Sequence, residues 1–193
     1  MKKILIAAAA MSALIFSACN NSSSDKKTDA GRDTTGSNTQ VEIPDTNGAA
    51  SIQSVLEGYL QIKNALAEDD GAEAANGGKA LADAVAKLDG SPFSAEQKKA
   101  YDDVSDDLKE NAEHISENAN NIAHQREHFA MLSDEIYTVV KSFNLQENLY
   151  RDYCEMYNNG KGAYWISETK EIRNPYLGKQ MPTCGEVKEE IRQ

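Results

Sequence analysis

Positive charge is scarce in this sequence. Its 20 lysines and arginines face 31 aspartates and glutamates, which gives a formal net charge of −11 at pH 7. The chain carries no basic patch, and this argues against a nucleic-acid partner and against charge-driven binding to anionic lipid. An acidic surface is compatible with attracting cations, although such surfaces usually serve only solubility.

The sequence motifs of common enzymes are also absent. There is no nucleophile elbow, zinc-protease helix, phosphate-binding loop or dinucleotide fingerprint. The acidic residues are spread around predicted helix surfaces, and no pair of them has the arrangement of a general acid and base. We therefore expect a protein that is not an enzyme.

Only one long apolar run occurs, at the start of the chain. Ile4–Phe16 follows two lysines and precedes the small residues Ser17 and Ala18 and then Cys19. The run is too short to span a bilayer and has the length of a signal-peptide core. The pattern predicts a lipoprotein signal peptide over residues 1–18, with lipid attached to Cys19. The alternative is an ordinary secretory signal in which Cys19 is incidental.

The next segment lacks large apolar residues almost entirely. Residues 19–48 are rich in Ser, Thr, Asp and Asn, so they predict a lipidated cysteine followed by a flexible polar tether. Residues 49–193 are long enough for one domain with its own core. No acidic cluster directly follows Cys19, and we therefore expect a lipid anchor in the outer membrane, facing the periplasm.

Apolar residues at helical spacing predict a mostly α-helical domain. Asp89–Pro92 breaks the pattern, and Ser94 with Gln97 predicts a capping box at the start of a third helix. Asn118–Asn121 contains poor helix formers that cap well, which favours a division into third and fourth helices. The prediction is a four-helix bundle. One long helix through the asparagines is the alternative, because the apolar register continues in steps of seven.

The pattern changes near the C-terminus. Residues 149–157 and 163–167 are rich in aromatics and are separated by turn residues, which predicts a small β-hairpin. After an irregular loop, Thr183 and Glu186 have the spacing of another capping box. We expect a short terminal helix from there through Ile191.

Cys154 and Cys184 remain as a pair once Cys19 is assigned to the lipid. In an oxidising compartment such a pair predicts a disulfide. A bridge closing a loop of this length would contribute about 3–4 kcal/mol in the chain-entropy description.

A second interpretation of the cysteines is a metal site. Cys154 and Met156 would share one face of a strand, and Met181 and Cys184 repeat the two sulfur donors. A helix beginning at Cys184 would lower the pKa of its thiol. Thiolate and thioether donors together select soft ions, above all Cu(I). The sequence leaves the disulfide and the metal site both open.

His124 and His128 lie four residues apart on the predicted fourth helix, a spacing typical of a two-histidine metal face. Without a third ligand, histidines at this spacing are usually solvated. His114 lies neither on the apolar face that predicts the core nor on the face of His124 and His128, and we assign it no role.

Short motifs in fixed order carry a resemblance to a known family. They are QREHFAMLS at 125–133, CEM at 154–156, GAYWIS at 162–167, EIRNPYLG at 171–178 and MPTCG at 181–185. The chain from about Ser51 onward resembles an uncharacterised periplasmic domain that occurs in Gram-negative lipoproteins and at the ends of some adaptor subunits of heavy-metal efflux pumps. Glu155 stands where that family usually has proline.

Two functions follow as expectations. The resemblance implies a helical bundle with a metal-linked terminal segment, so the first is binding of Cu(I) or another soft ion. Its ligands would be Cys154, Met156, Met181 and Cys184, with His128 near the site, and its partners periplasmic parts of a heavy-metal efflux system. The second is a structural or protein-interaction lipoprotein whose terminal segment is held by the Cys154–Cys184 disulfide.

Overall fold

The computed structural model of the protein describes residues 46–145 and 147–192. In these ranges there are six helices and a three-stranded antiparallel sheet. The helices are α1 (Thr46–Ala67), α2 (Gly71–Lys87), α3 (Ala95–Asp102), α4 (Ser105–Glu117), α5 (Ile122–Ser142) and α6 (Tyr157–Gly160); the strands are β1 (Leu149–Cys154), β2 (Ala163–Ser167) and β3 (Glu186–Ile191). The predicted signal peptide, Cys19 and nearly all of the predicted tether lie outside the described residues.

The mostly helical character of the domain is confirmed. α1 packs along α2, α2 along α4, and α4 along α5, and α1 also contacts α5. Their apolar stripes form one core, to which fully buried side chains contribute about 1.5–3 kcal/mol each. These include Tyr59, Leu56, Leu66, Leu81, Leu108, Ile115, Phe129 and Phe143. Within the described ranges, no helix has both the length and the apolar character needed to cross a bilayer.

Two predicted local signals are confirmed. The capping box at α3 is complete, since the Gln97 amide donates to Ser94 Oγ at 3.2 Å and the Ser94 amide donates to Gln97 Oε1 at 2.9 Å. The chain also breaks at the asparagines: α5 begins after Asn121, whose side chain accepts from the His124 amide. Such side chains replace hydrogen bonds that the first turn of a helix lacks.

The predicted third helix is in fact two helices. α3 ends at Asp102 and α4 begins at Ser105, after Val104 leaves helical geometry with φ −127° and ψ −9°. Asp106 and Asp107 lie in the first turn of α4. Carboxylates are favoured there by the positive end of the helix dipole, and they stabilise a new start at this point.

The predicted β-hairpin is confirmed. β1 pairs with β2 in an antiparallel register that places Tyr153 opposite Tyr164 and Cys154 opposite Ala163. The connection through α6 holds Asn158 and Asn159 at φ values of 53° and 56°. Asparagine tolerates this left-handed conformation better than most residues, which suits it to the turn.

The predicted terminal helix is wrong, because the segment is strand β3 on the other edge of β1. Val187 and Ile191 are four residues apart, a spacing that fits one face of a helix and one face of a strand equally well. The unpaired edge of β1 offers a ladder of backbone hydrogen bonds to this segment. This pairing with a strand that is distant in sequence favours the strand over the helix. Thr183 therefore caps no helix.

A buried polar junction fixes the sheet on the helices. The Tyr59 hydroxyl accepts from the Ile166 amide at 2.9 Å and lies 2.8 Å from Ser133 Oγ, so it joins α1, β2 and α5. Lys63, fully buried on α1, donates to Glu168 at 2.6 Å. These contacts hold the end of β2 against α1 because burying either polar group without its partner would be costly.

We predict that Gly78→Ala destabilises the protein. Alanine in a helix interior is normally preferred over glycine by about 0.5–1 kcal/mol. At Gly78, however, a Cβ would lie 2.7 Å from the Ala112 carbonyl oxygen and 2.9 Å from the Ser116 nitrogen, both on the α4 backbone. We expect a loss of about 1–3 kcal/mol in the free energy of unfolding, measured by urea denaturation.

Gly90→Ala is the matched control for this substitution. A Cβ at Gly90 would meet only the Phe93 ring, at 3.4 Å, which is an ordinary contact. Its free energy of unfolding should stay within about 0.5 kcal/mol of wild type. A gain in stability for Gly78→Ala would show that α2 and α4 are further apart than described.

Candidate metal centre

All three histidines of the chain converge at one place. One ring nitrogen from each of His114, His124 and His128 lies within 4.8 Å of the other two. The His114 and His128 rings stack with centroids 4.2 Å apart, and the His124 ring lies edge-on to His128 at 4.5 Å. Among the residues described, this is the only group of three or more histidine, cysteine or acidic side chains close enough to share an ion.

The asparagine-rich reversal between α4 and α5 creates this convergence. In an antiparallel pair of helices, residues at similar distances from the connection face each other. His114 lies four residues before Asn118 and His124 lies three residues after Asn121. Both ends are capped: the Asn118 side chain donates to the His114 carbonyl at 2.8 Å, and the His124 amide donates to Asn121.

Gln125 stabilises the connection between α4 and α5 through buried hydrogen bonds. Its side chain is fully buried, and its amide nitrogen donates to the Ile115 carbonyl at 3.0 Å and to the Gly71 carbonyl at 2.9 Å. One side chain thus joins α5 to the end of α4 and to the start of α2. This fixes the relative positions of the two helices that carry the histidines.

Asn111 sets the orientation of the His128 ring. The Asn111 side-chain nitrogen donates to Glu135 Oε1 at 2.9 Å, so its oxygen is left to accept from His128 Nδ1, also at 2.9 Å. The proton of the neutral ring then sits on Nδ1, and Nε2 keeps its lone pair. Metal-binding histidines are typically held in this way, with the second ring nitrogen hydrogen-bonded to an oxygen.

Carboxylates flank the other two rings. His124 Nδ1 lies 3.4 Å from Glu127 Oε2, and His114 Nε2 lies 3.9 Å from Glu110 Oε1. The side chains of His114 and His124 are 43% and 32% exposed, so the cluster opens to solvent. The acidic neighbours favour a cation at this position.

Burial first, and then the charges of His114 and His124, lower the pKa of His128. The neutral imidazole is the form that binds metal ions, so this shift favours coordination at neutral pH. Burial also raises the pKa of Glu135 to about 7. Its Oε2 is buried without a hydrogen-bond partner, while Oε1 accepts from Asn111.

A groove of about 550 Å³ runs alongside His128. Its walls come from the end of the α3–α4 connection, from α4 and from α5. They consist of Val104, Asp107, Glu110, Asn111, His128, Met131, Asp134, Glu135 and Thr138. A ligand or solvent can therefore reach His128 from this groove.

The structure also brings the two thiols together. Cys154 ends β1, Cys184 lies in the turn before β3, and their sulfur atoms are 3.0 Å apart although the residues are 30 positions apart in sequence. Pairing of β1 with β3 produces this approach. Both cysteines carry free thiols here, with Cys154 buried and Cys184 partly exposed.

The predicted lowering of the Cys184 pKa is wrong. No helix begins at this residue, so no helix dipole acts on it. The hydrogen bond with Cys154, and after it burial, raise the pKa of Cys184 to about 11. The Cys184 thiol is therefore poorly prepared to lose its proton at neutral pH.

The methionines lie beside the cysteine pair in sequence. The backbone amide of Met156 is a hydrogen-bond partner of the Cys184 sulfur, but its own side chain is 54% exposed. The Met181 carbonyl accepts from the Cys184 amide at 3.1 Å. In the described part of the chain, no third histidine, cysteine or carboxylate joins the two thiols, and His124 and His128 belong to the other cluster.

Sequence reasoning missed two residues of the histidine centre. His114 received no role because apolar and polar faces were traced along single helices, and Asn111 drew no attention as a possible support. Counting residues outward from the asparagine turn would have paired His114 with His124. Nothing in the sequence pattern points to Asn111 as the link between His128 and Glu135.

Comparison with known proteins agrees with the uncharacterised nature of the domain. Residues 55–148 match the model of a family described as "Protein of unknown function (DUF3347)". The matched range contains all three histidines and ends before β1 and both cysteines. No curated protein and no solved structure matches the chain. Most of the helical part of the chain is therefore similar to an uncharacterised domain family.

Proposed function

We propose that this chain is a metal-binding module whose centre is the cluster of His114, His124 and His128. The observation that carries the proposal is the convergence of ring nitrogens from two helices to within 4.8 Å. A tetrahedral ion with metal–nitrogen bonds of about 2.0–2.1 Å needs donor nitrogens about 3.4 Å apart. Rotation of the partly exposed His114 and His124 rings would be needed to bring their nitrogens closer to His128.

The donor set indicates the class of ion. Imidazole nitrogens suit Zn²⁺, Cu²⁺ and Ni²⁺, and among divalent ions Cu²⁺ binds most tightly to a given nitrogen site. Glu110 and Glu127 add negative charge next to the rings. With three protein ligands, a tetrahedral ion would have a fourth position available for a further donor.

The setting we propose is the bacterial cell envelope. The pattern around Cys19 favours export and lipid attachment, with the domain on the periplasmic face of the outer membrane. The resemblance to domains appended to heavy-metal efflux adaptors favours a role in sequestering an ion or in passing it to an efflux system. The acidic composition argues against nucleic acid as a partner.

A second candidate role belongs to the cysteines. Sulfur atoms 3.0 Å apart in an oxidising compartment favour a disulfide that ties the turn before β3 to the end of β1. The Cu(I) site of Cys154, Met156, Met181 and Cys184 would need the same two sulfurs as thiolates. The two roles therefore exclude each other in any one molecule.

We predict that the wild-type domain binds Zn²⁺ and Cu²⁺ with one-to-one stoichiometry. His114→Ala should weaken both affinities by at least about 100-fold, because this variant lacks one of the three ligands. A 100-fold weakening corresponds to a loss of about 2.7 kcal/mol in binding free energy. Competition titration against a chromophoric chelator measures the affinities. Binding by the wild type should weaken as the pH falls, because a protonated imidazole cannot bind the ion. The lowered pKa of His128 shifts the loss of this ligand toward lower pH.

Glu117→Gln is the control for charge effects. Glu117 is exposed on α4, three residues from His114, and its substitution removes a negative charge but no ring nitrogen. Its affinities should stay within about threefold of wild type, as expected for a screened surface charge. Equal losses in both variants, or retention of affinity in His114→Ala, would contradict the histidine centre.

For the cysteines, we predict that the native exported protein contains no free thiol and that reduction, or Cys184→Ala, destabilises it by about 3–4 kcal/mol. Free thiols are counted under denaturing conditions and stability is measured by urea unfolding. Zn²⁺ affinity should not change in Cys184→Ala. If the purified protein instead retains two free thiols and loses its metal affinity in this variant, the sulfur site is the metal site.

A further inference from the structure

Met131 is an exception in the burial pattern of α5. It is 48% exposed, and Met156 is the only other large apolar side chain classed as exposed in the described part of the chain. Its neighbours Phe129 and Leu132 are fully buried. A thioether held at the surface of an otherwise well-packed helix is available for a purpose other than core formation.

The position of Met131 relates it directly to the histidine centre. It follows His128 by three residues and His124 by seven, so all three lie on one flank of α5. Side chains on a helix lean toward its N-terminus, and a residue covers the turn that precedes its own Cα. This general geometry favours a direction of the Met131 side chain toward the turn that carries His128. Both residues line the same groove.

No other side chain is an equally good candidate for the fourth ligand of an ion at the three histidines. In the described part of the chain, no carboxylate oxygen or thiol lies within 4.8 Å of all three ring nitrogens together. Glu110 comes near, with Oε1 3.9 Å from His114 Nε2, but it contacts only this one ring. Glu135 accepts from Asn111 through Oε1 and leaves Oε2 without a partner, but it does not belong to the group of side chains whose ligand atoms lie within 4.8 Å of one another.

We infer that Met131 is the fourth ligand of the histidine centre and that it makes the site selective for copper, including Cu(I), over zinc. The inference rests on the proposed histidine centre and adds the identity of its ion. A thioether is a soft donor that stabilises Cu(I) and contributes little to Zn²⁺ binding in competition with nitrogen or oxygen. The site would combine three imidazoles with one sulfur, away from the cysteine pair.

The test compares Cu(I) and Zn²⁺ affinities in Met131→Leu and in the control Glu117→Gln, both made in the Cys184→Ala protein so that no thiol pair competes for Cu(I). Met131 is exposed, so its substitution does not disturb the core. In Met131→Leu we expect the Cu(I) affinity to fall at least about tenfold while the Zn²⁺ affinity changes less than about threefold. Glu117 is exposed on α4 and is not a proposed ligand, so Glu117→Gln should change both affinities less than about threefold.

The outcomes separate this inference from the proposal on which it rests. An unchanged ratio of Cu(I) to Zn²⁺ affinity in Met131→Leu overturns the role of Met131 and leaves the histidine centre intact. A loss of Cu(I) affinity in Glu110→Gln but not in Met131→Leu assigns the fourth position to the carboxylate and also overturns it. Absence of any binding in the parent protein, with folding verified by circular dichroism, ends both proposals.

Discussion

The side-chain hydrogen bonds around the reversal between α4 and α5 set the register of the helical hairpin, and the histidine centre depends on that register. Asn118 and Asn121 cap the two helix ends, and buried Gln125 joins the reversal to the start of α2. The N-cap at Asn121 contributes about 1 kcal/mol. A shift of either helix by one residue would turn its histidine through about 100° and separate the ring nitrogens.

The sulfur pair depends on a different constraint, the pairing of β1 with β3. This pairing places Cys184 at the end of β1 and orders the last part of the chain on the sheet. The two sites therefore rest on separate structural elements and offer different chemistry. The lowered pKa of His128 favours the neutral ring that binds an ion, whereas the raised pKa of Cys184 opposes metal binding by its thiol unless the ion itself displaces the proton.

Local signals in the sequence predicted local structure well. The Ser94–Gln97 box, the break at Asn118–Asn121 and the β1–β2 hairpin each depend on residues that are close in sequence. β3 could not be predicted in this way, because Val187 and Ile191 fit a helix as well as a strand and only the distant edge of β1 decides between them. The same reason explains why His114 was not predicted as a ligand. It becomes a candidate only when α5 is placed against its own helix, α4.

The central claim is that one ion binds between three imidazoles contributed by two helices. Anomalous diffraction at the zinc or copper edge, from crystals grown with one equivalent of the ion, tests it most directly. The account predicts a single strong anomalous peak within bonding distance of His114, His124 and His128. A strong peak between Cys154 and Cys184, with none at the histidines, would contradict it.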